Sequence, residues 1–306
     1  MSGFAPKRLY ALFNKLGDDF NGDLFSDDLR AEAELVSASY IDPLDHFFRA
    51  TDVQTGQGSF WPYDFAAIPV EAISAIYERF LKSSDKRQGA FYTPRFLAEL
   101  VIDAALGTTQ RLLDQRFLDP ACGSGIFLVG LFNRMAEEWK QAHPGARNDH
   151  RARELRKLLT GSLCGVDINP TACRITAFSL YLAYLDQLSP RDIQELRQKG
   201  HKLPRLVHYP NEEVEGDIEG NIWCGDFFES TEYPVDADLV IGNPPWGSTA
   251  LEGTPAANWC AEHEYPIPNK QIAAAFVWKA AYHVRNKGKF VSCFRTAPFS
   301  ITAQRL

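Results

Sequence analysis

The sequence predicts an α/β architecture: a mostly parallel sheet flanked by helices, preceded by a small helical region. Three observations carry that expectation. From about residue 86 onward, short apolar runs alternate with amphipathic stretches, the pattern of a parallel sheet with helical crossovers. One of these runs, "RFLDPACGSG" (116–125), ends in a glycine turn that leads directly into a helical stretch. Residues 1–85, by contrast, show helical periodicity without strand-like runs. The expected division is therefore 1–85, a helical region with a linker, and 86–306, the α/β domain, in a chain of 306 residues.

In the first region "LYALFNKL" and "VEAISAIYERFL" set apolar residues at helical spacing, the second at Val70, Ile73, Ile76, Tyr77 and Phe80. Between them "TGQGSFWPYDF" is rich in turn formers and aromatics, and the polar "KSSDKRQG" (82–89) reads as the linker. In "FYTPRFLAELVIDAAL", Thr93 is the expected N-cap and Pro94 the first helical residue. A first strand then enters the glycine turn, and "IFLVGLFNRMAEEW" is the helix after it. "LCGVDI" is a second strand, after which Asn169 and Pro170 open the helix "TACRITAFSLYLAYLDQL". "NIWCGDFF" and "DLVIG" supply a third and a fourth strand, "NKQIAAAFVWKAAYHV" a helix and "KFVSCF" a fifth strand. The polar segments 140–160 and 188–220 read as surface insertions. Because "SITAQRL" comes soon after the fifth strand, and a seven-stranded sheet would need more sequence, the expectation is a fragment of a longer protein.

Composition narrows the function. No apolar run is long enough for a transmembrane helix, and the start, "MSGFAPKRLYALFNKLGDD", is too polar for a secretory signal. Cysteines 122, 164, 173, 224, 260 and 293 contain no Cys-x-x-Cys pair, which argues against a zinc site and a disulfide framework. None of the seven histidines has metal-ligand spacing, so no metal is expected. A reduced, cytoplasmic protein without a membrane partner is the simplest expectation. The net charge is −7 and is concentrated early: residues 1–80 hold 6 Lys/Arg against 13 Asp/Glu, and the rest hold 26 of each. An acidic chain is poorly suited to wrap nucleic acid unaided, because phosphate binding relies on Lys and Arg. The basic stretch 147–157 could touch phosphate, but a solvated helix face is the stronger reading.

Ligands of doubly wound sheets bind beyond the carboxyl ends of the strands, and each unusual cluster falls at such an end. In "LDPACGSG", Gly123 and Gly125 permit a tight turn with backbone N–H groups presented to a ligand. Asp119 ahead of the turn disfavours pyrophosphate and suits a cationic group such as an ammonium. On the glycines alone, a turn with no ligand fits equally well. In "GVDINP", Asp167 can accept both hydroxyls of a ribose, with Ile168 an apolar surface for an adenine; Asp167 alone serves equally as a capping acid. In "GDFF", Asp226 and an adjacent phenylalanine form a plausible purine clamp, although at least one of Phe227 and Phe228 is expected in the core. In "NPPW", the Asn243 side chain and the Pro244 backbone offer two rigid carbonyl acceptors for a planar –NH2 group. Neither Pro244 nor Pro245 has an N–H to compete, and Trp246 can stack on a base.

The ordered set "GAFYTP" (89–94), "DPACGSG", "GVDINP", "GDFF" and "NPPW" resembles the adenine-specific (N6) DNA methyltransferases of type I and type IIG restriction-modification systems and related phage-defence systems. The resemblance spans about residues 60–300 and extends to "FWPYDFAAIPVEAISAIYERFL" (60–81), which is similar to the segment preceding the catalytic domain in the type IIG group. It implies a Rossmann-like, S-adenosylmethionine-dependent methyltransferase domain. Tyr92, Thr93, Ala121, Gly123 and Gly125 would then hold the methionine end of S-adenosylmethionine. Asp119 would sit by its ammonium, Asp167 and Ile168 at the ribose and base, and Asp226 with Phe227 on the adenine. Asn243, Pro244, Pro245 and Trp246 would act on the N6 amine of an adenine flipped out of DNA.

The resemblance also implies departures. Related enzymes carry a target-recognition domain after the catalytic domain, and none follows residue 306, so the expected DNA partner would be held mainly by a region absent here, with other restriction-modification or defence subunits as further partners. No nuclease motif is found; "EWK" (138–140) lies on a helix and reads as solvated. The segment 247–269 is expected as a loop, either a lid over the target base or disordered without DNA. Rival acceptors are N4 of cytosine and a protein glutamine. A rival class is a cofactor- or partner-binding module that is inactive alone.

Overall fold

The computed structural model describes residues 6–19, 29–48, 58, 93–107, 111–209, 220–229, 236–246, 252–294 and 297–302. The chain divides into two compact units, Met1–Pro69 and Val70–Leu306. In the first, α1 (Pro6–Asp19), α2 (Leu29–Leu35) and α3 (Ala38–Phe48) bury Tyr10, Leu29 and Ile41. Tyr10 meets Phe13 edge-on at 5.6 Å on the apolar stripe of α1. The expected helix 70–81, the "TGQGSFWPYDF" turn (Gly58 apart), the 82–89 linker and Tyr92 lie outside the described residues.

The second unit is a seven-stranded sheet flanked by helices, with strand order β3-β4-β2-β1-β5-β6-β7. In chain order, α4 (Arg95–Leu106) precedes β1 (Phe117–Asp119), α5 (Ile126–Ala142), α6 (Asn148–Gly161) and β2 (Leu163–Asp167). Then come α7 (Pro170–Asp186), α8 (Pro190–Gln198), β3 (Val207–His208), β4 (Ile222–Cys224) and β5 (Ala237–Gly242). The last elements are α9 (Pro255–Glu262), α10 (Ile272–His283), β6 (Val284–Phe294) and β7 (Ala297–Thr302). All pairings are parallel except β6 with β7. Two strands exceed the five expected from sequence. β3 is only two residues long, too short for a periodic signal, and β7 falls in a stretch whose pattern resembles a tail.

Alternation along the strands sends Leu118, Cys164, Val166 and Val240 into one buried cluster with Ala275, Phe276 and Ala280 of α10 and Ala256 and Cys260 of α9. On the other side, α5 drives Leu128 against Gly165, where an added Cβ would come 2.8 Å from Leu128 Cδ1. Phe127, Leu128, Leu131, Phe132 and Met135 of α5 are all buried; each such side chain contributes about 1.5–3 kcal/mol.

The boundaries have local causes. Asn169 caps α7, accepting the Thr171 and Ala172 N–H groups through its side chain, with Pro170 at the first turn as expected. Ser189 and Asp192 form a capping box at α8. The buried Asn221 amide donates to the Leu159 and Leu163 carbonyls at 2.6 and 2.8 Å, tying the start of β4 to α6 and β2. Among the described residues, no helix is long and apolar enough to cross a membrane.

Three expectations are corrected here. The polar segments 140–160 and 188–220 hold helices: α6 buries Ala152, Leu155 and Leu159, an apolar stripe that its many charges mask, and α8 follows in the second. The loop 247–269 contains α9, which buries Ala256 and Cys260; Gly253 and Pro255, which suggested a loop, lie at its start, where Thr254 accepts the Ala257 N–H and Pro255 opens the helix. In "EWK", Trp139 is buried and stacks on His143, and the Glu138 carboxylate accepts the Leu112 N–H, so this part of α5 is packed.

Candidate active site

The strand order reverses at β1: β2 lies on one side of it and β5 on the other. Such a switch point opens a crevice at the carboxyl ends of the strands. Register places the expected residues there. Asp119 closes β1 opposite Gly165 of β2, Asp167 pairs with Cys224 of β4, and Gly242 closes β5. Sequence separations of up to about 120 residues thus collapse onto one edge.

The glycine turn is anchored to β2. The Gly123 N–H donates to Asp167 Oδ2 at 2.9 Å, and the Asn169 N–H donates to Asp167 Oδ1 at 2.8 Å. Asp167 therefore ties the end of β2 to the turn after β1, a role the spacing alone did not reveal. Each oxygen keeps a further lone pair for a ligand. Gly123 and Gly125 both have positive φ, +56° and +83°. The Thr176 hydroxyl donates to the Gly123 carbonyl at 2.8 Å, and an added Cβ on Gly125 would lie 2.8 Å from Thr176 Cγ2. Gly125→Ala is expected to lower stability by about 1–3 kcal/mol through backbone strain and this contact, read as a lower urea midpoint; an unchanged midpoint would show that the turn relaxes freely.

Asp119 is 1% exposed. Its Oδ1 accepts the Ala121 N–H at 3.2 Å, while Oδ2 is buried without a hydrogen-bond partner among the described residues. Burial pushes its carboxyl up to about 8; the Ala121 amide opposes this and nearby Asp167 adds to it. Burial also raises the Asp167 carboxyl, against the two backbone N–H groups it accepts. Gly242 makes room for Asp119, since a Cβ there would stand 2.5 Å from Asp119 Oδ1.

At the end of β5, Asn243 is half-buried and held at both ends of its amide. Nδ2 donates to Thr93 Oγ1 at 3.0 Å, and Oδ1 accepts the Trp246 indole N–H at 2.9 Å. The expectation that Thr93 caps a helix is corrected: α4 begins at Arg95 with Pro94 at the cap position and no side-chain cap bond, so the buried Thr93 hydroxyl serves Asn243 instead. Pro244 is buried and Pro245 half-buried beside it.

Asp226 follows β4 and accepts the Phe228 N–H through Oδ1 at 2.8 Å. Phe227, expected against an adenine, is instead core: it is 2% exposed and stacks on Phe276 at 5.5 Å with 13° between the rings. Its large apolar ring finds more burial among α10 residues than at an open edge. Ile168 is 68% exposed beside Asp167, in keeping with a surface residue at a strand end.

Two residues escaped the sequence reading. Lys279 of α10 is buried with its Nζ 5.0 Å from the Phe227 ring centre and 5.5 Å from that of Phe228. Burial pulls its ammonium down to about 8, while Asp226 opposes the shift. Burial, and secondarily Lys279, pulls His283 down to about 4. The available signal was a single lysine inside the apolar run "AAAFVWKAAYH". Among the described residues, no three His, Cys, Asp or Glu side chains form a possible metal site, and Cys122, Cys164, Cys173, Cys224 and Cys260 are free thiols.

Comparison with known proteins gives these features a context. Residues 70–297 match the family described as N-6 DNA Methylase. The chain is 29% identical over 192 residues to the adenine-specific methyltransferase PglX of Streptomyces coelicolor, covering 56% of this chain and 16% of that protein. It is 23% identical over 233 residues to the type I restriction enzyme MjaIX methylase subunit of Methanocaldococcus jannaschii, covering 72% of this chain and 32% of the relative. In fold it is similar to the ATP-dependent Type ISP restriction-modification enzyme LlaBIII bound to DNA, with a TM-score of 0.53, 14% identity, and coverage of 90% of this chain and 21% of that one. The chain thus spans a minor part of each of these proteins.

Proposed function

The chain belongs to the N-6 DNA methylase family, and from that premise we propose that it transfers a methyl group from S-adenosylmethionine to the N6 amine of adenine in DNA. The observation that carries the reading is the meeting, across one switch point, of a buried carboxylate with an unpaired acceptor oxygen and an amide pinned at both ends. The first suits an ammonium and the second a planar amine. S-Adenosylmethionine supplies an electrophilic sulfonium methyl when bound. Asp119 would hold its ammonium, backbone groups from Ala121 to Gly125 its methionine end, Asp167 its ribose hydroxyls, and Ile168 and Asp226 its adenine.

On the acceptor side, Asn243 Oδ1 and the Pro244 carbonyl would accept the two N6 hydrogens of an extruded adenine. That directs the nitrogen lone pair at the methyl group, so catalysis rests on positioning and electrostatics rather than on a covalent enzyme intermediate. Pro244 and Pro245 keep the turn rigid and free of competing donors. Stacking on Trp246 would contribute on the order of 1–3 kcal/mol. Its ring face serves the base while its N–H edge remains on Asn243.

DNA and further restriction-modification or defence subunits are the proposed partners, with much of the DNA contact outside this acidic chain. The test is incubation of duplex DNA with methyl-labelled S-adenosylmethionine and mass analysis of the digested nucleosides. N6-methyladenine supports the reading. N4-methylcytosine, or label in protein glutamine, replaces the acceptor; S-adenosylmethionine binding without transfer would indicate a cofactor-binding module needing other parts.

A further inference from the structure

The geometry points to Thr93 as the positioning residue for the methyl-acceptor amide of Asn243, rather than a contact of the methionine end alone. This inference rests on the proposed role of Asn243. An asparagine amide has two nearly isosteric ends, and only the oxygen can accept a hydrogen from a target amine. Whichever end faces the target is therefore decided by what the amide meets elsewhere. Here Thr93 lies 150 residues away in sequence, and its Oγ1 accepts from Asn243 Nδ2 at 3.0 Å. Trp246 donates to Oδ1 at 2.9 Å. The indole N–H can only donate, so Trp246 fixes which end of the amide is the oxygen, while the Thr93 hydroxyl, able to donate or accept, anchors the far end and holds the amide in place. The oxygen retains a second lone pair, which an incoming amine can use without displacing the indole.

Thr93 is suited to this task by its surroundings. It is 6% exposed and immediately precedes Pro94, whose ring restricts it to extended backbone. The hydroxyl is thus presented from a stiff segment just ahead of α4, instead of capping that helix. Its oxygen receives the Asn243 N–H at 3.0 Å. Losing one neutral hydrogen bond of this kind lowers the population of the anchored amide geometry by about five- to tenfold.

The test compares Thr93→Val, which keeps the shape and removes the hydroxyl, with Thr93→Ser, which keeps the hydroxyl. The indole N–H of Trp246 is the reporter: six tryptophans give six such nuclear magnetic resonance signals, and Trp246→Phe identifies which one is Trp246. In the full chain, Thr93→Val is expected to shift that signal and speed its hydrogen exchange about tenfold, with S-adenosylmethionine affinity held within about threefold. Methyl transfer at saturating S-adenosylmethionine should slow about tenfold. Thr93→Ser should restore the signal and most of the rate. An unmoved Trp246 signal in Thr93→Val, or a loss confined to S-adenosylmethionine affinity, overturns the proposal. Asn243→Ala separates the two readings: if it leaves transfer intact, the acceptor role of Asn243 fails, whatever the Trp246 signal does.

Discussion

Asn243→Ala is expected to slow methyl transfer by about 10²–10³-fold while leaving S-adenosylmethionine affinity within about twofold. The magnitude is that of removing one preorganised group aimed at developing charge in a water-poor site. The amide carries this weight because it is held before the substrate arrives, by Thr93 at one end and Trp246 at the other. Asn243→Gln should lose nearly as much, since an added methylene moves the carbonyl by more than the roughly 1 Å that costs 10²-fold in positioned reactions. Stability should fall by only about 1–2 kcal/mol in the alanine variant, the cost of leaving two partners of a half-buried group unmet. Single-turnover transfer, calorimetric binding of S-adenosylmethionine and urea unfolding measure the three quantities separately. A rate loss matched by an equal loss of cofactor affinity would move Asn243 from the acceptor to the cofactor side.

The fold was legible where periodicity and punctuation agree. Strands β1, β2 and β5 end at residues the sequence flags, Asp119, Asp167 and Gly242, and β4 ends at Cys224, just before the flagged Gly225–Asp226 step. The helix after Asn169-Pro170 announces itself by cap and proline together. Where charge hides an apolar stripe, the reading failed. In α6 the buried Ala152, Leu155 and Leu159 sit among nine charged or polar neighbours, and the stretch reads as a solvated insertion. In α9 the flanking glycine and prolines outweigh an eight-residue helix in any local reading. Short strands such as β3 form because a neighbour offers a ladder, which no local pattern records.

The site shows a similar boundary. The placement of candidate residues at strand ends could be read because Asp, Asn and paired glycines or prolines are unusual after apolar runs. Pairings across the sheet could not. Nothing in "DINP" says that Asp167 holds the Gly123 amide, and nothing in "FYTP" says that Thr93 serves Asn243 rather than the next helix. Phe227 illustrates the same limit in reverse: an aromatic beside a candidate ligand acid is equally an aromatic beside α10, and burial decided for the core.

Asp119→Asn should produce the second large effect, and its pH dependence identifies the cause. With its carboxyl pushed up to about 8 by burial, Asp119 keeps a proton in the folded protein that an unfolded chain, at the ordinary 3.8, has released. The folded state then binds more protons than the unfolded state between about pH 4 and 8, so this residue makes stability fall as pH rises through that window and level off on either side. A group that holds its proton in only one of the two states changes stability by about 1.4 kcal/mol for every pH unit of such a window, so the effect is on the order of several kcal/mol. Asp119→Asn mimics the protonated side chain, and the variant without ligand should lose this slope and be the more stable protein at pH 8. Binding reverses the preference. A cationic ammonium at the unpaired Oδ2 favours the ionised carboxylate, so near pH 7 S-adenosylmethionine should bind with release of close to one proton, measurable by calorimetry in buffers of different ionisation enthalpy. Above about pH 9 no proton should be released, because Asp119 is already ionised. Asp119→Asn should release none at any pH and bind about 10²-fold more weakly. A variant with unchanged affinity and unchanged proton release would mean that the ammonium is held elsewhere and that the buried acid serves the fold alone.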